Sequence, residues 1–233
     1  MRKSAVIVAG GSGKRMGSEI PKQFLLLGDK PILIHTLLRF LAHDPELILS
    51  LVLPKDQLAV WEEFSVKYLS FDQIARIIVG EGGASRTESV HQGLLRLERH
   101  FDSLEEVWVA IHDGVRPFVK DEVIKHAFEL AKEKGASLVC VPVKSSMREI
   151  HEAGKSRAVD RSRFYHVQTP QTFSLTAILQ AFVQRPHNNF TDDASLYDDF
   201  GGSVAICEGS YDNIKITTPE DIALGESILK RGE

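Results

Sequence analysis

The chain has 233 residues, 43% of them hydrophobic and 26% charged, and its 28 Lys+Arg against 32 Asp+Glu leave a formal net charge of −4. That balance excludes a strongly basic nucleic-acid binder, and the composition excludes the disordered and collagen-like classes. Apolar runs fall well short of the roughly 18 residues that a membrane helix requires, so a soluble globular protein with a sizeable core is expected.

Cys140 and Cys207 are too few and too far apart in sequence for a disulfide framework or a metal knuckle, which points to a reducing cytoplasm. Met1-Arg2-Lys3 followed by an apolar run from Ala5 resembles the start of a leader, but the run stops at Gly10-Gly11 and is too short for export.

In chain order, short β-branched runs alternate with longer amphipathic stretches, the pattern of βαβ units. Strands are predicted over 5–9, 47–53, 75–79, 107–111 and 137–142, with helices over 31–42, 57–69, 85–99 and 121–134 between them. Pro31 opens the first of these helices and Gly135 follows the last as a C-cap. Such an order requires crossover connections and therefore a parallel sheet. After Val143 the rhythm breaks. Residues 147–150 and 157–159 flank the polar turn Glu152-Ala153-Gly154-Lys155, which reads as a hairpin arm inserted into the α/β body and too polar to hold its own core. Helices near 174–184 and 192–200, strands near 204–207 and 213–216 and a closing helix over 219–230 complete the pattern. No repeat or long linker divides it. The fold class is α/β, one domain over 1–233 with a mostly parallel central sheet and a protruding β-hairpin arm at 143–162.

The richest motif, Ala9-Gly10-Gly11-Ser12-Gly13-Lys14-Arg15-Met16, follows the first strand. Its glycines allow the backbone N–H groups to close on an anion and its two cations add charge, although a plain tight turn would use the same glycines. It matches neither a Walker loop, because Val8 and Arg15 stand where glycine and Ser/Thr are needed, nor the dinucleotide fingerprint, because Met16 replaces the third glycine. Pro21-Lys22-Gln23 comes next, and a lysine held between a proline and a buried anchor can be aimed.

Gly82-Gly83 with Arg86 and Ser89, His112-Asp113 with Arg116-Pro117, and Lys144-Ser145-Ser146 follow the next strands. Open α/β sheets bind ligands at the carboxyl ends of their strands, so together these describe a crevice for a polyanion and a sugar. Asp113 reads either as a metal or hydroxyl ligand or as a helix cap, His112 as a packing residue, and both cysteines as core. Thr191-Asp192-Asp193 reads as a helix N-cap. Lys215, between Ile214 and Ile216, is costly to bury unless it faces an anion.

These motifs, with Asp160-Arg161, Thr169-Pro170-Gln171 and Asn213-Ile214-Lys215, resemble the 2-C-methyl-D-erythritol 4-phosphate cytidylyltransferase family nearly end to end. The resemblance implies a Rossmann-like nucleotidyltransferase domain that transfers CMP from CTP to methylerythritol phosphate and releases pyrophosphate, with Mg²⁺ held mainly by the CTP phosphates. It assigns Arg15, Lys22, Arg161 and Lys215 to catalysis and Ala9, Gly10, Gly11, Gly13, Gly82, Gly83 and Ser89 to the nucleotide. It places Asp113 and Thr191 on the acceptor hydroxyls, and Lys215, Arg161, Thr169 and Ser146 on the acceptor phosphate. It also implies a homodimer whose arms, carrying Ser146 and Arg161, reach the neighbouring site. Ser145-Ser146 stands where the family often has Asp-Thr, so a hydroxyl is kept and a carboxylate lost. A ribitol 5-phosphate cytidylyltransferase and a non-catalytic CTP-binding module are the alternatives.

Overall fold

Continuous buried apolar runs form the centre of one seven-stranded sheet in a computed structural model, which describes residues 1–10, 20–151, 154–185 and 190–232. In β1 (Arg2–Val8), Ala5 and Ile7 face one core while Val6 faces the other, so the strand is apolar on both sides, as a central parallel strand must be. A short hairpin of β2 (Leu26–Leu27) and β3 (Lys30–Pro31) leads into α1 (Ile32–His43) and then β4 (Ile48–Leu53). Next come α2 (Leu58–Tyr68), the short α3 (Phe71–Ile74), β5 (Ile77–Glu81), α4 (Arg86–His100) and β6 (Val107–Asp113). The elements α5 (Asp121–Lys134), β7 (Ala136–Pro142), β8 (Met147–Ile150) and β9 (Ser156–Val159) follow. The chain continues through β10 (Tyr165–Ser174), α6 (Leu175–Gln184), α7 (Asp193–Asp199), β11 (Ala205–Glu208) and α8 (Pro219–Gly232).

The sheet order is β11-β7-β10-β6-β1-β4-β5, and every strand but β10 runs the same way. Helices α1 and α5 cover one face around Phe40 and Phe128, and α4 and α6 cover the other around Leu94, Phe173 and Phe182. The carboxyl ends of β1, β4, β5 and β6 thereby open on one edge, where Ala9, Pro54, Gly82 and Asp113 emerge. Among the described residues, no helix is long and apolar enough to cross a membrane.

Two expectations change. The 165–174 segment, read from the sequence as a motif, is the one antiparallel strand of the sheet; Pro170, with no N–H to give, sits where the ladder to β7 shifts register between Val167 and Gln171. Residues 213–216 are not a strand. They form an extended connection held by Ile216 N–H on the Val115 carbonyl at 2.9 Å, and Ile216 is buried against Leu27, Ile32 and Phe118. The expected arm is a separate two-stranded sheet of β8 and β9, largely exposed, with Glu152 and Ala153 of its turn outside the described residues. Gly135 ends α5 at φ +95°, as a C-cap glycine does.

Helix α4 lies close on the sheet because Gly93 faces it: a Cβ there would stand 2.5 Å from Val6 Cγ1 and 2.9 Å from Val52 Cγ2. Gly93→Ala is therefore expected to destabilise the protein by about 1–3 kcal/mol despite alanine's better helix propensity. Urea denaturation measures this, and an unchanged or raised midpoint would show that the helix can move off the sheet at no cost.

Candidate active site

The strand ends enclose a cavity of about 420 Å³ whose lining includes Ala9, Gly10, Lys22, Gly82, Gly83, Ser89, Asp113 and Lys215. The turn after β5 is pressed onto the start of α4. A Cβ on Gly82 would meet Ser89 Oγ at 2.6 Å and one on Gly83 would meet Glu88 Cβ at 2.3 Å, so glycine is required at both positions. Ser89 Oγ accepts the Gly83 N–H at 3.1 Å and fixes that turn, while Ser85 caps α4 by accepting the Glu88 N–H. Lys22 opens a 3-10 turn over Lys22–Phe24 and is buried there. Its neighbour Gln23 is fully buried and donates to the Ala9 carbonyl at 2.8 Å and to Gln57, which ties this turn to the end of β1.

A second cavity of about 300 Å³ lies beside the first and is lined by Arg116, Thr169, Gln171, Thr191 and Asp192 among others. The two share Arg86, Asp113 and Lys215. Asp113, at the last position of β6, is buried at 6% exposure. Its Oδ2 lies 3.1 Å from Lys215 Nζ and 3.0 Å from Arg116 Nε, and its Oδ1 lies 3.9 Å from Arg86 Nε. Burial alone would raise the Asp113 pKa, but Lys215, Arg116 and Arg86 overrule it and hold the carboxyl well below the usual range. The Asp113 carboxylate is thus held by cations from three parts of the chain.

Arg86 is held in turn by two parallel bonds to Asp193, Nη1 to Oδ1 at 3.1 Å and Nη2 to Oδ2 at 2.7 Å. Burial works against the Arg86 charge, and Asp193, Asp113 and Asp192 raise its pKa above the ordinary value. Gln171 places Asp193 by accepting the N–H groups of Asp193 and Ala194 at 3.0 and 2.8 Å, and Asp192 caps α7 as expected, accepting the Ser195 N–H at 2.9 Å.

Thr169 Oγ1 accepts the Asp113 N–H at 3.1 Å and stands 2.9 Å from His112 Nδ1, while His112 Nε2 lies 3.2 Å from the Arg116 carbonyl. Burial drives the His112 pKa down to about 4, so the ring is neutral and one tautomer serves both contacts, Thr169 donating to Nδ1 and Nε2–H to the carbonyl. Asn213 Nδ2 donates to the Thr169 carbonyl at 2.9 Å, and Arg116 Nη1 donates to the Asn213 carbonyl at 2.9 Å, which delivers Lys215 to Asp113.

The structure thus gathers Ala9, Gly10, Lys22, Gly82, Gly83, Ser89, Asp113, Thr169, Thr191 and Lys215 around one crevice. Gly11, Gly13 and Arg15 lie outside the described residues. Ser146 and Arg161 are exposed, do not line either cavity within the chain and sit at the arm, where Arg161 donates to the Lys144 carbonyl. The Thr169 hydroxyl, expected on a phosphate, already has two internal partners. Arg86, Arg116, Gln171 and Asp193 stood in the motifs without assigned roles. Arg86 and Asp193 are 107 residues apart, and only the fold pairs them.

Burial pushes the Cys207 thiol up to about 11 and raises that of Cys140, which removes both as nucleophiles at neutral pH. Among the described residues, no group of three or more His, Cys, Asp or Glu side chains could hold a metal ion.

A family model described as 2-C-methyl-D-erythritol 4-phosphate cytidylyltransferase matches residues 4–231. Proteins of that name from Porphyromonas gingivalis and Bacteroides thetaiotaomicron are 44% and 42% identical to the chain, over 98% of it and 98% and 100% of their own lengths. A solved 4-diphosphocytidyl-2C-methyl-D-erythritol synthase from Anaerococcus prevotii superposes with a TM-score of 0.82 at 28% identity, covering 99% of this chain and 96% of that one. The cytidylyltransferase of Thermus thermophilus superposes with a TM-score of 0.77 at 29% identity, over 99% of this chain and 100% of its own.

Arg86→Met strands the Asp193 carboxylate, which is only 2% exposed, and is expected to cost about 3 kcal/mol at neutral pH. Burial already holds the Asp193 pKa above its ordinary value with Arg86 in place, and loss of Arg86 raises it further. The folded protein then takes up a proton on acidification, and the deficit narrows as pH falls through that raised pKa. Urea titrations of both proteins at pH 7.5 and 5.5 read this out; an equal deficit at both would mean that no uncompensated charge is left behind.

Proposed function

Because the chain belongs to the 2-C-methyl-D-erythritol 4-phosphate cytidylyltransferase family, we propose that it transfers CMP from CTP to 2-C-methyl-D-erythritol 4-phosphate in isoprenoid precursor biosynthesis. The observation that carries this reading is the meeting of two adjoining cavities at Arg86, Asp113 and Lys215, one walled by glycine turns and the other by polar side chains. The first takes the nucleotide and the second the sugar-alcohol phosphate. The family and its relatives favour neither the ribitol phosphate enzyme nor a non-catalytic CTP-binding module.

An acceptor phosphate oxygen attacks the α-phosphorus of CTP, and the bond to pyrophosphate breaks as the new P–O bond forms, the leaving group taking the electron pair. A phosphate monoester is largely dianionic at neutral pH, its second pKa being about 6, so no protein base is needed. The chain's contribution is position and charge. Backbone groups of Ala9, Gly10, Gly82 and Gly83 hold the base and ribose, with Ser89 bracing the turn. Lys22, with Arg15 of the loop, neutralises charge developing on the triphosphate. Lys215 binds the acceptor phosphate, and Asp113 with Thr191 accepts or donates to the acceptor hydroxyls.

The reading includes Mg²⁺ carried on the triphosphate, where the ion would neutralise phosphate charge. In support, Asp113, the carboxylate nearest that space, already has its oxygens directed at Lys215, Arg116 and Arg86 and is poorly placed as a metal ligand. It also includes a homodimer in which Ser146 and Arg161 act in the neighbouring site, supported by their exposed positions at the two ends of the hairpin, outside their own crevice. A cytoplasmic setting accords with two buried, unpaired cysteines.

Pyrophosphate release from CTP is expected with methylerythritol phosphate and not with ribitol 5-phosphate, and to stop when EDTA removes Mg²⁺ and resume when it is returned. Release with neither acceptor would sink the enzyme reading. Lys22→Ala should lower kcat by roughly 10²-fold or more, as loss of a preorganised charge does; near-normal turnover would take Lys22 out of the chemistry.

A further inference from the structure

Tyr211 lies on the connection between β11 and Lys215, outside both cavities, and is 44% exposed. Its hydroxyl donates to the Pro142 carbonyl at 2.7 Å, and Lys144 Nζ sits 3.3 Å from the centroid of its ring. Pro142 ends β7 and Lys144 begins the path into the hairpin, so this one side chain grips the root of the arm. The root is also held by the sheet, where Pro142 pairs with Tyr165 of β10, and by the arm's returning end: Val143 N–H bonds the Phe164 carbonyl at 3.1 Å, and Arg161 donates to the Lys144 carbonyl. Arg161, the cation that has no place in its own crevice, is thus tied to the same residue that covers Tyr211.

On its other side Tyr211 stands on a connection that cannot drift. Gly209 N–H bonds the Cys140 carbonyl at 2.9 Å, Gln168 Nε2 bonds the Ser210 carbonyl at 2.8 Å, and Asn213 bonds the Thr169 carbonyl. The connection is therefore an anchored base against which Tyr211 can orient the largely exposed arm.

We propose that Tyr211 is a positioning residue of the acceptor subsite that acts across the dimer: by clamping Pro142 and Lys144 it sets the angle of the arm and hence where Arg161 meets the acceptor phosphate in the neighbouring site. The inference rests on the reading above that the arm is exchanged. A clamp made of one exposed hydrogen bond and one cation–π contact is modest, so its loss should raise the KM for methylerythritol phosphate about 3- to 10-fold and leave the KM for CTP unchanged. Tyr211→Phe keeps the ring beneath Lys144 and should fall between Tyr211→Ala and the parent protein.

Mixed dimers purified through two different tags decide the matter. In a dimer of Tyr211→Ala with Lys22→Ala chains, the one live crevice belongs to the Tyr211→Ala chain and receives its arm from the other chain, whose Tyr211 is intact. The acceptor KM should therefore return to the parent value. A KM that stays raised would overturn the proposal and place the effect of Tyr211 on its own Lys215 segment, and an unchanged KM in the Tyr211→Ala homodimer would overturn it outright. Arg161→Ala paired with Lys22→Ala is the separate control. Restored turnover there supports arm exchange, and no restoration removes the exchange itself, a failure distinct from that of Tyr211.

Discussion

The buried carboxylate of Asp113 is the constraint on which the site depends. A charge at the end of an apolar strand is tolerable only if cations reach it, because an unpaired ion in that setting costs several kcal/mol. Here they arrive from three elements: Arg116 from the loop directly after β6, Arg86 from the first turn of α4, and Lys215 from the connection ahead of α8. Each delivery has its own support. Ser85 caps α4 and Asp193 grips Arg86, Asn213 fastens the Lys215 connection to β10, and Ile216 sinks into the cluster under α8. The order β6-β1-β4-β5 brings the glycine turns alongside, so the charged centre and the nucleotide wall are built by the same sheet edge.

The reversed strand β10 solves a different problem. The parallel strands reach the site through the loops at their carboxyl ends, whereas β10 brings residues of the strand itself to it, where its ladder is broken. Between Val167 and Gln171 the pairing lapses, and there Gln168, Thr169 and Gln171 turn their polar groups to the Lys215 connection, to His112 and Asp113, and to the start of α7. Both His112 contacts in that network are satisfied with the ring neutral, so they persist over the pH range in which phosphate substrates change charge.

Much of this was legible in the sequence because burial on both faces leaves unbroken apolar runs, and helices packed on a sheet leave the 3.6 period. Ala5–Ile7 and Val107–Ile111 announce strands for that reason. Where polar function interrupts the pattern, legibility fails. Pro170 among Gln168, Thr169 and Gln171 hides β10: Gln168 and Thr169 fall in the break of the ladder, and Gln171, though paired with Ile111 and Leu138, turns a polar side chain to the start of α7. The opposite error occurs at 213–216, where alternating isoleucines mimic a strand although Ile216 is apolar to fill the space under α8. Lys215 does face an anion, Asp113, but at 41% exposure and off any strand it is not the buried ammonium on which that expectation rested. The pairing of Arg86 with Asp193 was not legible, because charges so distant in sequence are brought together only by the fold, at the first turns of α4 and α7.

The acidic net charge of −4 and a polyanionic ligand are reconciled by the same arrangement. Among the described residues four cations, Lys22, Arg86, Arg116 and Lys215, line one crevice, and gathered without counter-charges they would repel one another before any phosphate binds. Asp113 and Asp193 sit among them and hold two guanidinium groups and an ammonium in place before any phosphate arrives. The carboxylates weaken the pull on a phosphate in exchange for rigidity. A cation already fixed in direction needs no reorganisation as charge builds on the transferring phosphoryl group, which is the condition under which electrostatic stabilisation favours the transition state over the bound substrate. Lys215, 41% exposed on its open side, keeps donors free to face an incoming anion while one contact binds it to Asp113.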